Sequence, residues 1–365
     1  RELADKWCAR NPGPRPEPRV VERLADEAAG HPFLLDTLIR HVAERGLDEA
    51  APRLEDAIAA RVAGLEAAAQ RLLKLIMIAG SPTEQDTLVR AAELQPEDFD
   101  RCAEVLRVGH FIRRGATAQS DNSTSDANLF ESYHDRVREA VLSHLSAAEA
   151  RTAHAHLAQA LELTQTQNLE ALAVHYAAAG DTGRAATYAA QAAQRAENAL
   201  AFARAAQLYR QALSGDSLSA EDRRKLRARL GDVLIILHRP EEAATALLAA
   251  AEGDGENGLA QCQKAAEILL RSARFEEGLR VARGVFAELH ISFPSTKIGA
   301  ALSLLWLRLV LFLRGMRYVE RAEADVPKHE LLRLDAWGAF SFGMFTAQPM
   351  SALASHSQYL LVALR

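Results

Sequence analysis

Apolar residues recur at spacings of three and four along most of this chain, which is the pattern of amphipathic helices. The proline-rich stretch at residues 11–18 is the first exception, because prolines fix φ and remove backbone donors. After it, the pattern predicts a helix over residues 19–29, a left-handed stop at Gly30, and a second helix that begins at Pro32 and ends near Gly46. Residues 1–53 therefore predict a small helical region with a helix–break–helix.

The next part of the chain mixes helix and strand signals. Residues 54–79 predict one helix, and two shorter helices are predicted over residues 84–94 and 96–108. Residues 110–114 and 128–132 predict two short strands joined by the polar stretch 115–127, and a further helix follows. This order predicts a winged-helix domain with a short β-hairpin over residues 54–145.

Alanine-rich helices then recur to the end of the chain. Two similar connectors lie at residues 237–243 and 272–278, and the 35 residues from Ala243 to Gly278 are close to the tetratricopeptide period of about 34. In the run 202–213, small alanines favour close helix pairs and Tyr209 is suited to filling the gap between layers. Residues 146–365 therefore predict a tetratricopeptide-like α-α solenoid, and the fold class is mainly α.

Composition narrows the possible partners. With 49% hydrophobic and 25% charged residues the chain should bury a core, and its net charge of −5 gives little attraction for nucleic acid or anionic lipid. Residues 57–145 hold ten Lys/Arg against thirteen Asp/Glu, so the winged helix lacks a positive footprint for duplex DNA. We expect protein or nucleotide partners, neither nucleic acid nor a membrane.

The cysteines and histidines do not predict a metal site. Cys8, Cys102 and Cys262 form neither a disulfide framework nor a CxxC pair, which favours a reducing cytoplasm. His154 and His156 are two residues apart on a predicted helix and point in different directions, so we expect both to face solvent.

The C-terminal part carries the most apolar stretch, residues 298–313. It is interrupted by Arg308, which favours a buried or partner-facing helix over a membrane span. Five nearby aromatic residues are expected in the core, with a concave peptide groove as the alternative: Trp306, Trp337, Phe340, Phe342 and Phe345.

Nucleotide chemistry is incomplete in this chain. None of its six lysines follows a glycine, so no G-x-x-x-x-G-K-[ST] phosphate loop is present, and no Gly-x-Ser-x-Gly elbow or kinase motif is found either. The chain alone should not hydrolyse ATP, and we assign it no catalytic residue. Because Arg1 is not a start methionine and the last residues lie inside an apolar periodic run, we expect a fragment of a longer protein.

Two short motifs suggest what the missing part is. They are GHPFLL at residues 30–35 and YHDR at residues 133–136, each at the start of a predicted helix. The chain resembles the STAND class of signalling ATPases, which are relatives of apoptosome and plant immune-receptor switches. The resemblance lies in the order of three features: Gly-x-Pro-x-x-Leu, a winged helix whose last helix opens with His-Asp, and helical repeats. The second motif also resembles that of bacterial serine/threonine kinase–ATPase–repeat fusions and large ATP-dependent transcription regulators.

The resemblance implies that residues 1–53 are the C-terminal helical lid of an ATPase module. It also implies a nucleotide role for one residue of each motif. In such families the proline packs on adenine and the histidine reaches the diphosphate, and by position these are Pro32 and His134. The implied cofactor is ATP or ADP, with Mg²⁺, held together with an upstream core.

Other interpretations of the motifs remain open. Gly-x-Pro is also ordinary helix-cap chemistry, and His134 is also suited to capping its helix or pairing with Asp135. Two alternatives to a nucleotide-dependent signalling protein therefore remain: a nucleotide-independent repeat scaffold, and part of a large ATP-dependent transcription regulator.

Overall fold

The computed structural model describes residues 18–28, 31–45, 53–115, 128–164, 168–253, 255–291, 293–294, 296–318 and 326–364. The chain divides into two compact units, residues 1–185 and 186–365. Among the described residues, no helix combines the length and apolar character needed to cross a bilayer.

The first unit contains helices and a small three-stranded sheet. In chain order these are α1 (Pro18–Glu27), α2 (Pro32–Arg45), α3 (Leu54–Ala63), α4 (Ala67–Ala79), β1 (Thr83–Glu84), α5 (Gln85–Ala92), α6 (Pro96–Val108), β2 (Ile112–Arg114), β3 (Leu129–Ser132), α7 (Asp135–Ser143), α8 (Ala147–Leu163) and α9 (Leu169–Ala179). The helix α10 (Thr182–Asn198) crosses the boundary at residue 185.

The sheet has the strand order β1-β3-β2 with both pairs antiparallel. Thr83 is opposite Phe130 in one pair, and Ile112 is opposite Ser132 in the other. The order of helices and strands predicted for residues 54–145 is confirmed apart from two differences: β1 is an addition, and the first helix is divided in two. A strand of two residues is too short for an alternating pattern to reveal it. Of the predicted wing, residues 116–127 lie outside the described part.

The prediction of one helix over residues 54–79 was wrong, because the chain breaks between α3 and α4. Gly64 closes α3: its N–H donates to the carbonyl of Ala60, and the N–H of Leu65 donates to the carbonyl of Val62. The side-chain amide of Gln70 then donates to the carbonyls of Ala63 and Leu65. Glycine is a poor helix former and a side-chain donor satisfies the freed carbonyls, so the apolar spacing continues across a real break.

A single apolar core joins the lid to the winged-helix region. Buried side chains of the lid, of the sheet and its helices, and of α8 belong to one cluster; among them are Leu24, Leu34, Leu38, Leu72, Phe99, Phe130, Val137 and Leu157. The predicted boundary between residues 53 and 54 therefore does not interrupt the core. The boundaries of the lid, winged helix and repeats remain predictions.

The second unit is entirely helical in its described part. After α10 it contains α11 (Phe202–Leu213), α12 (Ala220–Ile236), α13 (Pro240–Ala251), α14 (Gly255–Arg271), α15 (Phe275–Glu288), α16 (Lys297–Arg314), α17 (Lys328–Ala347) and α18 (Pro349–Ala363). Successive helices from α11 to α15 pack on one another, as expected of an α-α solenoid.

Two of the predicted connectors share one turn geometry. His238 and Ala273 both take a left-handed backbone, with φ of 55° and 62°. The N–H of the next residue, Arg239 or Arg274, returns to a carbonyl in the last turn of the preceding helix. This hydrogen bonding satisfies the helix C-terminus in the same way at both turns.

Tyr209 lies between helix layers as predicted. Its ring is fully buried, and its hydroxyl donates to Glu197 Oε2 at 2.6 Å. Glu197 also lies 3.4 Å from Arg229, so the buried hydroxyl meets a carboxylate with a cationic partner. Burial and that carboxylate raise the pKa of the Tyr209 phenol. It remains a neutral donor at physiological pH.

Candidate functional site

The two sequence motifs meet at a pair of histidines. His31 is the N-cap of α2, since its carbonyl accepts from the N–H of Leu35. His134 is the N-cap of α7, and its Nδ1 accepts from the N–H of Arg136 at 3.2 Å. The Nε2 atoms of the two rings are 3.3 Å apart and the rings pack edge to face, with centroids 4.4 Å apart. The N-termini of α2 and α7 therefore converge.

The cap fixes the tautomer of His134. Because Nδ1 accepts a backbone hydrogen bond, Nε2 carries the proton in the neutral ring. His134 then donates from Nε2 to the Nε2 of His31. The site thus contains one oriented imidazole donor whose present acceptor is an exposed side chain.

Pro32 occupies the first position of α2, next to His31, and its side chain is exposed. A proline suits that position because its missing N–H needs no partner there. Its ring offers an apolar surface beside the histidine pair. Gly30 of the same motif lies outside the described residues.

Two arginines of the winged-helix region donate hydrogen bonds to the lid. Arg136 donates to the carbonyl of Glu27 at 2.5 Å, at the C-terminal end of α1. Arg61 donates both to Thr37 Oγ1 of α2 and to the carbonyl of Gly109, each at 3.0 Å. Arg136 thus links the start of α7 to the end of α1, and Arg61 links α3 to α2 and to the end of α6.

The geometry favours an anionic ligand at this place. A helix N-terminus carries a partial positive charge, and two of them meet here. The Nε2–H of His134 adds a donor at the same point. No phosphate-binding loop is found among the described residues.

His31 was not predicted to take part. Sequence reasoning treated it as the variable residue of Gly-x-Pro, although its place directly before a proline at N1 marks it as a cap. Its contact with His134 joins residues 103 positions apart, which no local pattern reveals.

His154 and His175 form a second histidine pair, and the prediction that His154 faces solvent was wrong. His154 is not solvent-facing: it is half-buried, and its Nδ1 lies 2.9 Å from the Nδ1 of the buried His175 in α9. His156 is partly buried as well. Desolvation, and then the neighbouring His154, lower the pKa of His175 to about 4, and desolvation lowers that of His154. No group of three metal-ligating side chains is found among the described residues.

The two described cysteines have no feature of a reactive site. Cys102 is buried in the core of the first unit and Cys262 is partly buried in the second. Burial raises the pKa of both thiols, so both stay protonated near neutral pH. Cys8 lies outside the described residues.

The C-terminal aromatics divide into two groups. Trp337 and Phe340 are buried in a core with Phe286, as predicted. Trp306 and Phe345 are exposed, so the expectation of a core position was wrong for them. The Phe345 ring contacts His356 of α18 edge to face. The side chain of Phe342 lies outside the described residues.

The solenoid also presents an open groove between α11, α12 and α13. Its volume is about 540 Å³, and an apolar floor with Leu230 and Leu234 is bordered by charged residues such as Arg227 and Glu242. Mixed apolar and charged linings of this kind suit a peptide.

Comparison with known proteins gives limited information. No protein-family model matches the chain, and no curated protein matches it. Among solved structures, the chain is similar to a Signal Transduction ATPase with Numerous Domains (STAND) protein with a tetratricopeptide repeat sensor from Pyrococcus horikoshii, at 13% identity and a TM-score of 0.35. The match covers 99% of this chain and 59% of that one. At this level of similarity the likeness carries no functional argument by itself.

Proposed function

We propose that this chain is the regulatory and sensor part of a STAND-type signal-transduction protein. The lid and the winged helix close on ADP held by an ATPase core, and the helical repeats bind a protein partner that favours opening. Each ligand shifts the equilibrium by its different affinity for the closed and open states.

The observation that carries this proposal is the contact between His31 and His134. Two motifs about a hundred residues apart, matched independently to the adenine and diphosphate contacts of STAND proteins, lie side by side at two helix N-termini. We assign adenine contact to Pro32 and diphosphate contact to His134. A diphosphate oxygen replaces His31 as acceptor of the His134 Nε2–H.

The remaining parts of the proposal concern the whole protein. The repeats supply the partner surface, in keeping with the extended surfaces of solenoids. We infer a serine/threonine kinase as output from the family resemblance, and a cytoplasmic location from the absence of a cysteine pattern typical of disulfides. Mg²⁺ is assigned to the ATPase core, and no described residue of this chain is assigned to it.

The test is ADP binding by calorimetry to a protein that joins this chain to its ATPase core. His134→Asn is the informative variant, because asparagine keeps the N-cap acceptor while removing the imidazole. Loss of a charge-assisted hydrogen bond should weaken ADP about tenfold. Pro32→Ala should weaken it a few-fold through lost adenine contact.

His144→Asn serves as the matched control, since His144 caps the other end of α7. ADP affinity unchanged in His134→Asn and Pro32→Ala, or absent in the wild type, would contradict the switch. It would favour the scaffold, in which the motifs serve only as caps.

A further inference from the structure

Helix α16 presents an apolar face to solvent. Five of its residues at alternating spacings of four and three are exposed, from 48% for Leu309 to 83% for Phe312; these heptad seam residues are Ile298, Leu302, Leu305, Leu309 and Phe312. The opposite side of α16, with Ala300 and Leu311 buried, packs on α18. Helix α16 is therefore packed on one side and exposed on the other.

The spacing of the heptad seam points to a helical partner. Apolar side chains every 3.5 residues form a straight line that a second helix covers by knobs-into-holes packing. Trp306 and Leu313 each follow a seam residue by one or four positions and widen the same face; both are more than 60% exposed. Binding to a lipid surface requires an apolar face, but it does not require heptad spacing.

Charge specifies the partner further. Residues 289–319 contain no aspartate or glutamate, whereas Lys297, Arg308, Arg314 and Arg317 lie on or next to α16. Arg308 borders the heptad seam, three positions after Leu305, where coiled coils place charges that select a partner. Neither Lys297 nor Arg308 forms an ion pair with another described residue.

A second copy of this chain is a poor match for this face. In a contact between two copies of α16, each helix brings cations and no acidic side chain of its own, so like charges would meet beside the seam. An acidic helix matches both the apolar spacing and the cations Lys297 and Arg308, which form no ion pair among the described residues.

We propose that the heptad seam of α16 docks an amphipathic helix of a partner protein, with apolar residues at heptad spacing and glutamate or aspartate along the flanks. This rests on the protein-binding part of the proposed function and names the chemistry of the partner. It makes α16, not only the groove between α11 and α13, a recognition surface of the repeats.

Fluorescence anisotropy with two synthetic helical peptides tests the proposal on this chain. Both carry leucine at heptad a and d positions; one has glutamate at e and g, and the other has lysine there. The acidic peptide should bind the wild-type chain at least about tenfold more tightly than the basic one. Leu305→Glu should abolish binding, whereas Leu163→Glu, an equally exposed leucine on α8, should not.

Arg308→Glu adds a second criterion, because reversing one of the cations beside the seam should reduce the preference for the acidic peptide over the basic one. Circular dichroism establishes that each variant is folded. Equal binding of both peptides, or unchanged binding in Leu305→Glu, would overturn the proposal.

Two other outcomes would also overturn it. A concentration-dependent dimer that Leu305→Glu dissociates would assign the seam to a second copy, and binding only to phosphatidylglycerol vesicles would assign it to lipid. Failure here is distinguishable from failure of the nucleotide switch, since ADP calorimetry on the longer protein does not involve α16. If a partner protein binds the repeats equally well in Leu305→Glu, the sensor role in the proposed function would stand, and the proposal for the heptad seam would be wrong.

Discussion

At the scale of single residues, two histidine pairs in the first unit have different physical surroundings. His31 is exposed and His134 is partly exposed, at two helix N-termini. His154 and His175 lie between α8 and α9, where His175 is only 5% exposed and the protonated form loses hydration. The first pair is suited to an anion, and the second is a neutral structural contact.

The buried pair should make stability depend on pH. His175 has a pKa of about 4 when folded and an ordinary value of 6.5, so the unfolded chain binds more protons between those pH values. Its contribution is present above pH 6.5 and is lost as the pH falls toward 4. We expect the first unit to lose about 2 kcal/mol between pH 7.5 and 5.0.

Urea unfolding followed by circular dichroism at the two pH values measures this loss. His175→Leu removes the titrating group, so its stability should change less with pH than that of the wild type. An equal pH dependence in the two proteins would contradict the role given to His175.

At the scale of elements, close helix contacts in the second unit depend on particular glycines. A Cβ built on Gly258 of α14 would lie 2.5 Å from the carbonyl oxygen of Ala251 in α13. A backbone atom cannot move aside as a side-chain tip can. Gly284 of α15 has no atom within 4 Å of the corresponding position.

Alanine at these two glycines should therefore act in opposite directions. Gly258→Ala should cost about 1–3 kcal/mol by overpacking, whereas Gly284→Ala should stabilise its helix by about 0.5–1 kcal/mol. Thermal unfolding of the two variants beside the wild type provides the measurement. A neutral Gly258→Ala would show that the contact between α13 and α14 is not as close as described, and a destabilising Gly284→Ala would show that the space beside Gly284 in α15 is not open.

At the scale of the whole molecule, each compact unit has its own buried residues. Leu38 of the lid is fully buried in the cluster that includes the sheet of the winged-helix region. Because the lid and that region share a core, they should lose structure together. In the second unit, Leu247 is equally buried, in a separate cluster.

Leu38→Ala should cost about 2–5 kcal/mol and lower amide protection in α7 and β3 as well as in the lid. Hydrogen exchange with mass spectrometry resolves the two units. Leu247→Ala is the control and should lower protection in α12 to α14. Protection in α7 unchanged by Leu38→Ala would mean that the lid opens independently of the winged-helix region.

The sequence by itself determined the mainly helical fold, most helix starts and stops, and the turns of the solenoid. These features depend on residues that are neighbours in the chain: Pro32 and Pro96 begin helices, and connectors such as the one at Arg239 end them. It also predicted Pro32 and His134 as nucleotide contacts, which remain predictions. Local spacing could not predict the break after α3, where glycine and a side-chain amide override a continuous apolar pattern.

Only the tertiary structure decided which distant residues meet. It joined His31 to His134, paired His154 with His175, and left the apolar face of α16 exposed, where the sequence allowed either a buried or a partner-facing helix. Periodicity reveals that a residue lies on the apolar side of a helix. Whether another element covers that side, and which side chain it brings, depends on contacts that are remote in sequence.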